Sequence, residues 1–403
     1  MFLILTRYTD AVKIRVYVIS VLRCLRETPF ERISCEYDFS YISEIYPNLS
    51  LSASQISRLM KSVGSRRDLI VRAMNEISDA PKNIIIDGSR IRSWSKELSL
   101  PEVGHNHNHS WMPQINMIYI FTTGQEIEPI FYKCVAGNIS DTGALKLTLE
   151  ERQKDVSYTI FADASFSSHE NINEINEFNV KYIIPLKRNS LEALGINADY
   201  KKASSIFTYN KRIITAYDIQ KDDYRVILFL DESKKADELF NIVMRIENKN
   251  EKILNSNKSK HEETGKIDPV EAVSNKEKLA GAIIIKTNSD ESPQYIYELY
   301  KKRSYIEQSF DTLKNMLGQD HSYMHDDKTF ECWCFFNHIS LLLLYRVYNI
   351  LSKEKLISKY SLQDLFAELG HIYKMKIGSK WETTEITKKT KLLCEKISFP
   401  LGK

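Results

Sequence analysis

The stretch YKKRSYIEQSFDTLK offers a phenol, two cations and a carboxylate at helical intervals: Tyr300, Arg303, Glu307 and Lys314. At about 100° per residue these four fall within about 60° of arc on a helix. The apolar set Leu299, Ile306, Phe310, Leu313 and Leu317 lies directly alongside, while Lys301, Lys302, Ser304, Gln308 and Ser309 take the far side. A helix seated by that stripe holds its polar strip at the lip of a core, where a phosphate-bearing strand can pass. Alone, an Arg–Glu pair four apart is an ordinary surface pair worth roughly a few tenths of a kcal/mol. Two further carboxylates change its weight. Asp87 closes the apolar run IIID, and Asp163 closes YTIFAD. An acidic residue ending a buried strand needs a reason to be there. Each also reads as the start of a turn, Asp87 ahead of Gly88 and Ser89, and Asp163 ahead of Ala164 and Ser165. Three carboxylates drawn from strand ends and a packed helix can hold two magnesium ions, hard cations that favour oxygen ligands. Such a pair activates water or a 3′-hydroxyl for in-line attack on a phosphodiester and stabilises the leaving oxygen, with no nucleophilic side chain needed.

The elements that would position these groups follow a consistent order. Residues up to about 80 carry helix-length apolar patterns, ending in LSASQISRLMKSVGSRRDLIVRAM, where Gly64 separates two amphipathic segments. That pair reads either as a helix-turn-helix, with Arg58, Lys61, Arg66, Arg67 and Arg72 on phosphates, or as two helices of a bundle. From Asn83 the texture is strands. The run at Ile84 to Asp87 is followed by a hairpin, INMIYIFTT and IEPIFYKC, then a helix starting near Asp141, the strand ending at Asp163, a helix over ENINEINEF and the strand VKYIIPLK. Between about 190 and 280 two or three antiparallel strands precede a polar stretch at 247–278, expected as a helix with a loop. GAIIIKTN returns to a buried strand, and long helices follow from about Pro293 and Phe330. The pattern predicts a mixed sheet flanked by helices.

These residues resemble a known family, the insertion-sequence transposases with a ribonuclease H-like DDE domain, in the group marked by Tyr-x2-Arg-x3-Glu-x6-Lys. Tyr300, Arg303, Glu307 and Lys314 fit that signature in full register, IIIDGSRI and YTIFADASF match the motifs of its two aspartates, and GNISD, FNVKYIIPLK and IIIKTN add further likeness. The resemblance covers roughly residues 80–350. It implies that Asp87, Asp163 and Glu307 bind the catalytic ions, two Mg2+ with Mn2+ as a substitute, and that Tyr300, Arg303 and Lys314 position the phosphates of the transposon end. It implies double-stranded DNA partners, terminal inverted repeats and target, a homodimer in the synaptic complex, and release of a 3′-hydroxyl that then attacks the target. The expected fold is α/β: a ribonuclease H-like mixed sheet flanked by helices, interrupted by a mostly β insertion, behind an N-terminal helical domain. The corresponding boundaries are 1–81 for a helical DNA-binding region, 82–190 and 281–351 for the two parts of the catalytic domain, 191–280 for the insertion, and 352–403 for a helical tail. Two other readings stay in play: a retired transposase retained as a DNA-binding or repressor protein, and a nuclease that hydrolyses without joining.

Composition narrows the alternatives. A charged fraction of 27% beside 43% hydrophobic residues is ordinary globular balance, against a wholly disordered or fibrous chain. A net charge of +3 means a DNA-handling surface must be built by sorting charges, not by excess. The six cysteines form no Cys-x2-Cys pair and read as reduced structural thiols, Cys332 and Cys334 as core. The apolar opening is broken by Arg7, Asp10, Lys13 and Arg15, and WCFFNHISLLLLYRVYNIL contains Asn337, His338 and Arg346. No membrane role is therefore expected and the segments read as cytosolic, while the family resemblance implies a cytoplasmic, nucleoid-associated setting in a prokaryote. His105, His107 and His109 alternate and can in principle ligate zinc, although a polar loop is the simpler account. Trp94 reads as packing at a sheet edge or, with less weight, as a stack for a displaced base.

Overall fold

The computed structural model describes residues 9–26, 28–76, 83–105, 111–123, 126–152, 158–188, 199–256 and 268–401. Along the chain, helices α1 (Asp10–Arg26), α2 (Ile33–Asp38), α3 (Ile42–Ile45), α4 (Ala53–Gly64) and α5 (Arg67–Asn75) precede strands β1 (Asn83–Arg92), β2 (Glu102–His105), β3 (Trp111–Thr122) and β4 (Pro129–Ala136). Next come α6 (Asp141–Arg152), β5 (Thr159–Phe161), α7 (His169–Glu177) and β6 (Lys181–Pro185). β7 (Ser205–Tyr209), β8 (Arg212–Gln220), β9 (Arg225–Asp231), α8 (Glu232–Ser256), α9 (Pro269–Glu277) and β10 (Ala282–Thr287) follow. The chain closes with α10 (Pro293–Met316), α11 (Asp327–Lys353), α12 (Leu362–Gly370), the hairpin β11 (Lys374–Ile377) and β12 (Lys380–Thr383), and α13 (Lys388–Lys396). Two compact units emerge: Met1–Val156 with Tyr305–Lys403, and Ser157–Ser304.

In the first unit β3 is the hub. β1 pairs antiparallel along one edge, and β2 and β4 share the other. The hairpin read from the sequence is there, while β2 is an element the sequence did not announce. Over this sheet lies α11, whose buried residues run from Thr329 to Leu351. It is long and apolar enough to cross a membrane, yet 67% of its apolar window is buried inside the protein, which is how a core helix looks. Asn337 and His338 are absorbed in that interior, and Asn337 accepts a 2.9 Å hydrogen bond from the buried Arg23 of α1. Against α11 packs α4, burying Ile56, Leu59, Met60 and Val63. A Cβ on Gly64 would sit 1.8 Å from the carbonyl oxygen of Lys328, so the glycine is there to let the two helices touch.

The second unit has a mixed sheet in the order β5-β6-β10-β9-β8-β7. β5 and β6 are parallel, joined by the crossover helix α7, and every later pair is antiparallel. The strands expected of an insertion, β7 to β9, extend this sheet from β10 by direct ladder pairing. Alternation along β9 explains the layering. Val226, Leu228 and Leu230 join Leu186, Tyr217, Ala282 and Ile284 on one face. Phe229 turns to the other, where it meets Tyr297 of α10 at 5.1 Å. The polar stretch becomes α8 and α9, with 257–267 outside the described residues.

Candidate active site

Asp87 does not end its strand. β1 continues through Gly88 and Ser89 to Arg92, each residue paired with β3 down to Arg92 opposite Gln114. A Gly-Ser dipeptide favours a turn by only about 1 kcal/mol, and a partner strand offering continuous ladder bonds overrides it. Asp87 is half-buried and stands opposite Tyr119. Residues directly opposite in an antiparallel pair share a face of the sheet. Tyr119 is fully buried, and its ring meets Phe310 of α10 edge-on at 5.0 Å; Phe121, two residues along, meets the same Phe310 at 5.1 Å. Phe310 lies three residues beyond Glu307, one helical turn. The aromatic contact therefore seats the Glu307 turn of α10 over the sheet face that carries Asp87. The side chains of Glu307 and Lys314 lie outside the described residues.

Asp163 is built differently. β5 is only three residues long, and Asp163 follows it as the N-cap of a short 3-10 helix, Ala164–Ser167, its carboxylate accepting from the Ala164 N–H at 2.5 Å. Its side chain is 61% exposed, whereas Arg303 of α10, with Nη2 3.6 Å from Asp163 Oδ1, is 5% exposed. The guanidinium thus faces a carboxylate from inside the protein, where a group dedicated to DNA phosphate would be expected to reach solvent. Tyr300 is half-buried one turn earlier. The apolar stripe expected along α10 is buried at Leu299, Phe310 and Leu317. Lys301, expected on the solvent side, instead lies 5.1 Å over the ring of Tyr297, and burial, with Lys234 beside it, pulls its pKa below the usual lysine range.

Residues 79–343 match the family model described as the transposase DDE domain. This chain belongs to that family. Comparison with curated proteins returns no match. Among solved structures, one similar to this chain is piggyBac transposase in a cryo-EM structure of its synaptic complex with hairpin DNA, at 10% identity, a TM-score of 0.46, and coverage of 91% of this chain and 73% of that one. Transposase DDE domains normally use divalent metals, and the donors here have suitable chemistry: carboxylate oxygens, with Asp163 open to solvent. Among the described residues no three His, Cys, Asp or Glu side chains converge as a metal cluster.

Other residues singled out in the sequence of this transposase settle as follows. Arg67, one of the cations offered for phosphate, is committed to the interior: it donates at 2.7 Å to Glu151, to Glu331 and to the carbonyl oxygen of Tyr132. Burial alone would lower its pKa, but Glu331, Tyr132 and Glu151 prevail and hold it well above the ordinary arginine value. Arg58, Lys61, Arg66 and Arg72 remain exposed. α5 buries Ile70, Ala73 and Met74, so both helices of the helix-turn-helix reading spend an apolar face on this unit's core. Cys332 and Cys334 are fully buried, as their setting implied, with Cys334 Sγ 3.6 Å from Cys134 Sγ. His107 and His109 lie outside the described residues, and His105 ends β2. Trp94 is 60% exposed, with its ring stacked on His321. The aromatic seat made by Tyr119, Phe121 and Phe310 had no signal of its own in the sequence beyond apolar periodicity.

Proposed function

We propose that this chain is a DNA transposase that cleaves the ends of an insertion sequence and joins the freed 3′-hydroxyl to target DNA. The observation that carries the reading is the seating of the Glu307 turn, through Phe310 and Tyr119, over the sheet face that holds Asp87. It is joined by family membership across residues 79–343. In this reading Asp87, Asp163 and Glu307 hold two magnesium ions, for which manganese substitutes. Bound there, the ions act as Lewis acids that activate the attacking hydroxyl and stabilise the leaving oxygen. The protein's share is placement. The β1 ladder fixes the backbone at Asp87, the cap at Ala164 and the Arg303 guanidinium restrain the carboxylate of Asp163, and α10 presents Glu307. Tyr300 and Lys314 grip phosphates of the transposon end, with Arg303 beside them restraining Asp163. Partners are terminal inverted repeats and target DNA, engaged by a homodimer on the nucleoid in the cytoplasm.

The test uses duplex DNA carrying the inverted repeats that flank the gene, incubated with Mg2+ or Mn2+. Cleavage and strand transfer are expected for the natural protein. Because Lewis-acid stabilisation is worth several kcal/mol, Asp87→Asn, Asp163→Asn and Glu307→Gln should each lower cleavage by at least about a thousandfold while leaving DNA binding in place. Full activity in any of the three variants overturns the proposed site. Binding without cleavage by the natural protein would mark a retained, inactive transposase, and cleavage without joining a nuclease.

A further inference from the structure

Near its end the chain forms a hairpin that stands by itself. β11 and β12 pair antiparallel, Met375 opposite Glu382 and Ile377 opposite Lys380, across a two-residue turn whose Gly378 takes a φ of 65°. Among the described residues no third strand joins either side. A lone two-stranded sheet is marginal in water, and this one is held on one face by an aromatic contact. Trp381 meets Tyr41, between α2 and α3, edge-on at 5.7 Å, and the Lys374 ammonium lies 4.8 Å over the same Tyr41 ring. The opposite face is open: Met375 and Ile377 are 51% and 57% exposed, and all four residues of β12 are exposed.

A strand edge carries unpaired N–H and C=O groups that can template another strand. The two edges of this hairpin differ in what they select. β12 reads Lys-Trp-Glu-Thr, and within the hairpin Lys380 and Glu382 each face an apolar residue, not an opposite charge. Laid antiparallel against a second copy about Trp381, β12 sets Lys380 of each chain directly across from Glu382 of the other, a favourable cross-strand pairing made twice. Parallel pairing in register would set lysine on lysine and glutamate on glutamate. β11 reads Lys-Met-Lys-Ile, and the same antiparallel operation about Met375 opposes lysine to lysine, which blunts that edge. A partner of a single charge sign, DNA included, meets a cation and an anion side by side on β12.

We propose that β12 is a contact between two copies of this chain, its edge pairing antiparallel about Trp381 into a four-stranded sheet in the order β11-β12-β12-β11. On the open face each Lys380–Glu382 pair is then flanked by Ile377 of one copy and Met375 of the other, a self-complementary two-fold arrangement. The inference names a surface for the homodimer of the proposed function, and its test separates the two. The full-length protein without DNA is followed by sedimentation over a concentration series. A weak, reversible dimer is expected, because four-residue strands make a small interface against the roughly 1,200 Å² of a standing complex. Lys380→Glu and Glu382→Lys each turn both attractive pairs into repulsive ones and should weaken the dimer at least about fivefold, while the double variant Lys380→Glu/Glu382→Lys restores complementarity and the dimer with it. Because both side chains are exposed, thermal unfolding of these variants should match the natural protein. Trp381→Cys, which sets two thiols across the two-fold, should give a disulfide-linked dimer under mild oxidation beyond the level of the natural protein, and Lys380→Cys should not. A monomer at every concentration, a dimer indifferent to the single variants, or one that the double variant fails to restore overturns the contact. So does the signature of a DNA surface, in which Lys380→Glu weakens and Glu382→Lys strengthens duplex binding with association unchanged. A charge-sensitive dimer in a protein that cleaves no repeat-bearing DNA sustains the contact and sinks strand transfer; cleavage by a protein whose association ignores these charges does the reverse.

Discussion

Arg67 and Arg303 are the same residue type, both offered by the sequence as grips on DNA phosphate and both withdrawn from solvent, yet their surroundings set them apart. Arg67 has its fork filled. Glu151 takes Nε and Nη2 at 3.2 and 2.7 Å, Glu331 takes Nη1 at 2.7 Å, and the Tyr132 carbonyl shares Nη2. Its two acids are themselves only 23% and 19% exposed. Arg303 is buried more deeply, but an acid it faces, Asp163, is 3.6 Å away and 61% exposed. A saturated, sheltered fork is architecture, because no solvent species can compete for it. A loose pair whose acid faces water leaves that acid open to another cation. Burial of an arginine, then, does not decide whether it is structural; the exposure of its partner does.

The largest effect expected from breaking this contrast is on Arg67. Arg67→Ala removes the cation shared by two sheltered carboxylates, leaving Glu151 with Lys133 and Glu331 with the Tyr132 hydroxyl, and should cost about 3 kcal/mol of stability, read as a lower urea midpoint, with Glu151→Gln costing less. Arg303→Ala should behave the other way. Its stability loss should be smaller than that of Arg67→Ala, because the carboxylate it faces is open to solvent, while cleavage of repeat-bearing DNA falls by about tenfold to a hundredfold, the usual consequence of removing a group that orients a metal ligand. If Arg303→Ala unfolded the protein as readily as Arg67→Ala, the two arginines would be equivalent and the contrast would collapse.

The smallest effect sharpens the comparison through pH. His338 of α11 is fully buried, stacked 20° from parallel on Tyr119 and 5.3 Å from Tyr132, with neither ring nitrogen hydrogen-bonded among the described residues. Burial, helped by the Arg67 charge, pushes its pKa down to about 3. The folded state therefore keeps a neutral ring while the unfolded chain takes a proton near pH 6.5. Stability is fully present above that value and declines as pH falls towards 3, by up to about 1.4 kcal/mol per unit. Between pH 6.5 and 5, above the range where Glu151 titrates, the natural protein should lose about 2 kcal/mol. His338→Phe should flatten that slope in urea titrations. A slope unchanged by the substitution would place the titration elsewhere.

How much of this was legible beforehand differs by residue. The hairpin of β3 and β4, the start of α6 near Asp141, the burial of α11 and the position of Asp163 after a buried strand all follow from local pattern, since apolar periodicity and cap chemistry act over a few residues. Asp87 was misplaced by local reasoning, because the Gly-Ser turn signal after it yields to a partner strand about thirty residues away in sequence. The inward turn of Arg67 and Arg303 was equally invisible: each depends on an acid contributed by a distant segment.

The sequence by itself determined the helix that carries Tyr300, Arg303, Glu307 and Lys314, the strand that carries Asp87, the strand that precedes Asp163, and membership of the DDE transposase family, because spacing and residue type are one-dimensional properties. Tertiary structure alone decided which cations are spent inside, that Phe310 finds Tyr119 so that α10 sits on the face of Asp87, and that Trp94 stands open on His321. Those outcomes depend on burial and on partners brought together across long chain separations. The identity of a side chain states what it can bond, and only the packed chain states what it meets.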